Sequence, residues 1–274
     1  MNFDLHTHTT HSDGKQSVFE MCESAIARGM HGIAITDHAN VHTYDQRNLG
    51  ERMPRCYDDV KIAKEKYGDQ LKVLMGVEVG EYAFAPDKGA LTLTLVPYDV
   101  VLCSVHFVPT ARWDVLYSRI DFSDPSISDE EVADYMHKYF ETLAQNSAAY
   151  DYDVLAHITC PARYITGRHH RPTDVMKSKD LLEAILKNVI AKDASLEYNT
   201  CGVCCESFGH YNAQNEEVFK MYKALGGKKV TLGSDAHAIG GIGRGFEEAK
   251  AFLRSCGFEN YCYYENRIPH YLPL

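Results

Sequence analysis

The chain has 274 residues, 45% of them hydrophobic and 24% charged, enough to bury a sizeable core and unlike a disordered or collagen-like composition. Its 38 acidic against 28 basic residues give a formal charge of −10, which argues against a nucleic-acid partner held through its phosphates. No apolar run approaches the roughly 20 residues of a membrane span, and Met1-Asn2-Phe3-Asp4 does not open a secretion signal, so nine cysteines in no paired framework read as free thiols of a reducing cytoplasm.

Along the chain, β-rich runs alternate with helical patterns. Strands are predicted at Phe3–His6, Gly32–Asp37, Val73–Val79, Val100–His106, Val154–Ile158, Ser195–Asn199 and Lys229–Gly233. Helices are predicted near 17–29, 54–67, 128–147, 178–192, 212–225 and 245–256. Ser128 with Glu131 fits a capping box, Ser178 is placed to cap the next helix, and Gly29, Gly68, Gly226 and Gly257 fall where helices should end. Residues 80–99, with Leu91-Thr92-Leu93-Thr94-Leu95, read as an extra hairpin, and 107–127 as a long loop with a short helix. Repeated β-then-α units imply a parallel sheet with right-handed crossovers. Polar residues end nearly every strand, which favours a closed barrel over an open sheet. No linker-like tract divides the chain, so residues 1–274 read as one domain.

Those strand ends carry the chemistry. The first closes on Asp4-Leu5-His6-Thr7-His8, and alternate strand residues share a face, so His6 and His8 can chelate one ion. The second ends Thr36-Asp37-His38. The third carries Gly76-Val77-Glu78-Val79-Gly80, whose glycines clear space on the face of Glu78. The fourth ends Ser104-Val105-His106, the fifth Ala156-His157, and the seventh Ser234-Asp235-Ala236-His237. Asp13, in His11-Ser12-Asp13-Gly14, follows the first strand closely enough to reach the same cavity, with His11 as a rival. Asp4 and Asp37 read as partners that orient imidazoles through the nitrogen not on a metal. Nine donors result: His6, His8, Asp13, His38, Glu78, His106, His157, Asp235 and His237. A tetrahedral zinc needs about four, so this set could serve two or three divalent ions, and Zn, Fe and Mn all suit its nitrogen and oxygen donors. Three such ions against three carboxylates would leave about +3, drawing a phosphate dianion into an acidic protein.

In their order from residue 4 to residue 237, these motifs resemble those of the polymerase-and-histidinol-phosphatase (PHP) superfamily. Within it, Tyr98–His106, Leu196–Thr200 and Glu265–Pro269 are most similar to histidinol-phosphate phosphatases. The resemblance implies a distorted (β/α)7 TIM-like barrel with a trinuclear metal site at the strand C-termini. It groups His6, His8, Glu78 and Asp235 on one ion, Glu78, His106 and His157 on a second, and Asp13, His38 and His237 on a third. It implies a small phosphorylated substrate, L-histidinol phosphate, hydrolysed by a hydroxide bridging two ions.

Arg163, Arg168, Arg171 and Arg244 are then candidates to grip phosphate, Arg163 lying nearest a motif. Glu81 and Tyr82 are candidates to face the ammonium and imidazole of the substrate, and His11, Asp37 and His42 to supply the leaving-group proton. One departure stands out: the family pattern leads one to expect a basic residue soon after Asn199-Thr200, where this chain reads Cys201-Gly202-Val203-Cys204-Cys205-Glu206. Three rivals remain. A nuclease or other small-phosphoester hydrolase shares the superfamily. An amidohydrolase-type barrel would place a bridging lysine on a middle strand, and Val100–His106 has none. A metal-stabilised module without turnover would be expected to lose donors, and all nine are present.

Overall fold

The segment Lys72–Gly80 is buried on both faces from Val73 onward, as a strand covered on both sides must be, and it becomes the longest stave of a barrel. The computed structural model describes residues 1–204, 208 and 216–274; Cys205 and the predicted helix start at 212–215 lie outside the described residues. The strands are β1 (Phe3–Thr7), β2 (Gly32–Ile35), β3 (His38–Asn40), β4 (Lys72–Gly80), β5 (Val100–Ser104), β6 (Val154–Leu155), β7 (Ser195–Asn199), β8 (Val230–Gly233), β9 (Asn260–Glu265) and β10 (Ile268–Pro273). The helices are α1 (Val18–Ala27), α2 (Leu49–Tyr67), α3 (Pro86–Thr92), α4 (Asp129–Ala149), α5 (Cys160–Ala162), α6 (Lys179–Ala191), α7 (Cys201–Cys204), α8 (Glu216–Ala224) and α9 (Phe246–Ser255). Among the described residues no helix is long and apolar enough to cross a membrane.

The parallel order is β1-β2-β4-β5-β6-β7-β8, with β3 also on β4. The amide of His8 donates to Ala236 O at 2.9 Å and that of Asp235 to His6 O at 2.8 Å, which brings β8 back to β1 and nearly closes the barrel. Alternation then divides the core in two. Val73, Met75, Val77 and Val79 face the helices, whereas Leu74 joins Phe3, Leu5, Ala34, Val100, Leu102, Val154 and Ala156 inside the barrel. A register shift between Asp4 and Thr7 lets Leu5 belong to that inner layer while His6 lies among the polar groups above it.

Several local expectations hold. Ser128 and Glu131 form the capping box, and Gly29, Gly226 and Gly257 adopt positive φ just past their helices. Others need correction. Ser178 makes no side-chain cap; its hydroxyl meets His137 Nδ1 at 3.2 Å. Gly68 does cap α2 as expected, though in right-handed backbone at φ −55°. The predicted second strand, Gly32–Asp37, stops at Ile35 as β2, paired with Lys72–Met75, and beyond Thr36-Asp37 a separate β3 pairs with Glu78–Gly80. Residues 80–99 form a 3₁₀ turn at Tyr82–Phe84 and then α3, not a hairpin, because Pro86 starts a helix and the Tyr82 ring packs where a Gly89 side chain would be.

The antiparallel pair β9–β10 plugs the opposite end, inserting Cys262 and Tyr264 into the inner layer, where the Tyr264 hydroxyl lies 2.8 Å from Ser195 Oγ. Its two-residue turn, Asn266-Arg267, has φ 52° and 65°, both left-handed. From it, Asn266 N donates to Asp99 Oδ1 at 3.1 Å, and Arg267 Nε donates to Asp153 Oδ2 at 2.5 Å. The same carboxylates accept from Met75 N and Val101 N, so one turn ties together the starts of β4, β5 and β6. Arg267→Ala leaves the mostly buried Asp153 without its cation. We expect a loss of about 1–2 kcal/mol, discounted because Arg267 is partly exposed, measured by denaturant unfolding.

Candidate metal centre

Every strand but β2 and the hairpin pair ends at one polar cluster, and Glu78 is its hub. The fully buried carboxylate, on the inner face of β4, has Oε2 2.6 Å from His38 Nδ1 and 3.4 Å from His6 Nε2. Its Oε1 lies 2.7 Å from His157 Nε2 and 3.1 Å from His106 Nε2. Gly76 and Gly80 make the room: a Cβ at Gly76 would come within 2.5 Å of Thr36 Cγ2, and one at Gly80 within 2.7 Å of Asn40 Oδ1. Burial alone would raise the pKa of Glu78, but His106, His38 and His6 hold it well below the usual carboxylate range.

A second carboxylate, Asp235 beyond β8, sits 3.2 Å from His8 Nε2 and 3.7 Å from His6 Nε2. Arg163 donates to its Oδ2 at 2.8 Å and to Asn199 Oδ1 at 2.8 Å. Asp13, on the loop after β1, stands 3.4 Å from His38 Nε2 and 3.2 Å from His237 Nε2. Burial works against a charged His237, yet Asp13 and Asp235 push it up to about 9. His8 goes the other way: burial, with His38 and His237 alongside, pushes it down to about 3.

A neutral, buried imidazole should find well-aligned hydrogen bonds, but His8 makes none from either ring nitrogen, its Nε2 facing Asp235 at 3.2 Å, and His6 Nε2 and Glu78 Oε2 meet their neighbours without such alignment. Such atoms fit metal coordination. Four overlapping groups bring their donor atoms within 4.8 Å of one another: His8, Asp13, His38 and His237; His6, Glu78 and His157; His6, His8 and Asp235; His38, Glu78 and His106. All nine sequence-predicted donors are therefore brought together. Two of them, His157 at φ 23° and Asp235 at φ 53°, occupy left-handed backbone that non-glycine residues seldom adopt, as strained functional positions do.

Other expected roles are corrected by the geometry. Asp37 accepts from Thr9 N at 2.8 Å, Thr9 Oγ1 at 2.7 Å and Ser12 Oγ at 2.5 Å, and so anchors the loop after β1. Asp4 accepts from Ser234 N and Gly243 N, each at 2.9 Å. Neither carboxylate orients an imidazole. His11 is drawn off to Asp59 of α2, 2.8 Å away. Glu81 is buried, its Oε1 accepting from His106 N at 2.5 Å and Phe107 N at 2.9 Å, so it holds the chain beyond β5 instead of facing a ligand. Arg168 lies over the Tyr164 and Phe208 rings, and Arg171 is tied to Asp129.

Arg163 lines both cavities at the cluster, one of about 450 Å³ and one of about 740 Å³; Arg244 lines only the larger, and His42 only the smaller. Sequence reasoning missed Glu197, the residue that orients His6: its Oε1 meets His6 Nδ1 at 2.7 Å, and its Oε2 accepts from His157 N at 2.8 Å. The available signal was its spacing, since Ser195, Glu197 and Asn199 alternate on one face of a buried strand.

Residues 4–201 match the PHP domain family. A probable histidinol-phosphatase of Clostridium acetobutylicum is 28% identical over 99% of this chain and 100% of its own length. Another, from Thermotoga maritima, is 29% identical over 93% of each. Among solved structures, histidinol phosphate phosphatase from Lactococcus lactis subsp. lactis, complexed with zinc, L-histidinol and phosphate, shares this fold with a TM-score of 0.76 at 20% identity, over 98% of both chains.

Glu197→Gln keeps the shape of the side chain but removes the charge that orients His6. Metal affinity should fall by about 10–100-fold, read by chelator competition with metal analysis, while the secondary structure seen by circular dichroism is unchanged.

Proposed function

The chain belongs to the PHP domain family, and from that premise we propose that it is a metal-dependent phosphoric monoester hydrolase that converts L-histidinol phosphate and water to L-histidinol and phosphate. The observation that carries the reading is the convergence of nine nitrogen and oxygen donors in overlapping groups, six of them lining one cavity with a buried arginine at its wall. The names of the full-length relatives, and the ligands of the Lactococcus enzyme, support the choice of substrate. Residues 1–274 would act as one domain, since Asp235 and His237 come from beyond the matched segment and complete the same cluster.

In this reading His6, His8, Asp13, His38, Glu78, His106, His157, Asp235 and His237 hold two or three divalent ions. Zinc, manganese or iron there would supply Lewis acidity and an activated water as nucleophile. The rest is done by the chain. Glu197 fixes the His6 ring so that its Nε2 faces Glu78. Arg163, held by Asp235 and Asn199, presents fixed positive charge beside the phosphoryl group at no cost in reorganisation. His42 lines the cavity, where His11 and Asp37 do not, and is the better placed of the three to give a proton to the departing alcohol. Arg244, on the larger cavity, is a further contact for phosphate in transit.

Phosphate release from L-histidinol phosphate, compared with a panel of other phosphomonoesters and a dinucleotide, tests the substrate. A dominant kcat/KM for histidinol phosphate is expected; a dominant value for another ester would keep the chemistry and move the substrate. Stripping the metal with a chelator should abolish release, and adding back zinc, manganese or iron should restore it. His8→Ala should lower kcat by at least ~100-fold together with metal content. Full activity in the stripped protein would sink the metal-dependent reading.

A further inference from the structure

The two cavities share part of the metal-donor wall and differ beyond it. Outside the donor set, and among the described residues, the larger adds Lys15 and Arg244 and no carboxylate, whereas the smaller adds Asp114, on the loop after β5. Glu81, the carboxylate expected to meet a substrate ammonium, is spent on two backbone amides. Asp114 is not: it is exposed, and among the described residues it makes no ion pair or side-chain hydrogen bond. Its position is nevertheless braced from both sides. Trp113 N donates to Thr110 Oγ1 at 2.9 Å, and the indole packs on Phe122 and Tyr135 with ring centroids 6.1 and 5.4 Å away. On the other side Leu116 bridges to Phe107, whose ring is stacked on that of His42 at 4.8 Å. This wall therefore presents one free carboxylate to the cavity that His42 lines. The arginines on the same cavity do not neutralise it. Arg163 is held by Asp235, Arg52 is answered by Asp37 and Asp13, and neither Arg47 nor Arg119 comes within ion-pair distance of Asp114. They penalise a cation elsewhere on the rim and leave it one favourable place.

We propose that Asp114 is a specificity-determining residue that takes the ammonium of the leaving group, so that the amino alcohol lies in the smaller cavity while its phosphoryl group meets the metal centre. The inference rests on the phosphomonoesterase reading and deepens it: esters of amino alcohols are favoured over neutral ones of the same size. A carboxylate–ammonium contact is charge-assisted, but this one forms at a cavity mouth where water remains, so it corresponds to about tenfold in kcat/KM.

Two esters of matched size test this with the metal-loaded full chain: L-histidinol phosphate, and 2-hydroxy-3-(imidazol-4-yl)propyl phosphate, in which a hydroxyl replaces the ammonium. The wild type should favour the first by about tenfold in kcat/KM. In Asp114→Asn that ratio should fall toward one, mainly through a higher KM for the ammonium ester. The Asp114 side chain is exposed and unpaired among the described residues, so the fold tolerates the change, and metal analysis checks that the centre stays loaded. Equal efficiencies in the wild type, or the wild-type ratio retained in Asp114→Asn, would overturn the role of Asp114 while leaving hydrolysis intact. Phosphate release from neither ester would overturn both this inference and the choice of L-histidinol phosphate beneath it.

Discussion

A carboxylate with no solvent exposure is among the least favourable groups a fold can contain, and Glu78 is such a group. It is tolerated because four imidazoles, from β1, β3 and the ends of β5 and β6, converge on its two oxygens. That convergence sets requirements on the rest of the chain. Gly76 and Gly80 must lack side chains, four staves must end at one height, and the chain must turn sharply at His157 and Asp235. The cluster is a concentrated set of opposed charges in a dry setting, which a metal ion can join by taking the place of protons.

The two ends of the barrel divide the labour. The lower end is an apolar layer sealed by β9 and β10, with Asp99 and Asp153 fastening their turn. The upper end carries the clustered imidazoles and carboxylates, the unpaired nitrogens and the left-handed His157 and Asp235. A fold can hold unfavourable features at one end when the other is well packed, and in barrels of this kind the strand C-termini are where chemistry is found.

Much of this was legible along the chain, because strand alternation and strand ends are local properties. His6 and His8 at two-residue spacing, Glu78 between glycines, and the pair Asp235 and His237 announced a shared face before any coordinates. What could not be read is which partner a side chain finds far away. His11 has a metal-binding side chain in the right loop, yet Asp59 on α2 takes it. Glu81 stands beyond a strand end like the true donors, yet the amides of His106 and Phe107 use its carboxylate. Arg168 is five residues from Arg163, but the π-helical turn that contains both sends it onto two aromatic rings. The alternation of Leu91–Leu95 imitated a strand, and Pro86 outweighed it by starting a helix just ahead.

The hairpin of β9 and β10 has a consequence for how the molecule is made. The starts of β4, β5 and β6 are joined through Asn266 and Arg267, and the Tyr261 hydroxyl donates to Met1 O at 2.6 Å. Those contacts span well over a hundred residues, so during synthesis the earlier staves leave the ribosome long before their lower ends can be sealed. A growing chain must therefore carry an open apolar layer until residues 260–267 emerge, a window in which that layer is exposed to association with its neighbours.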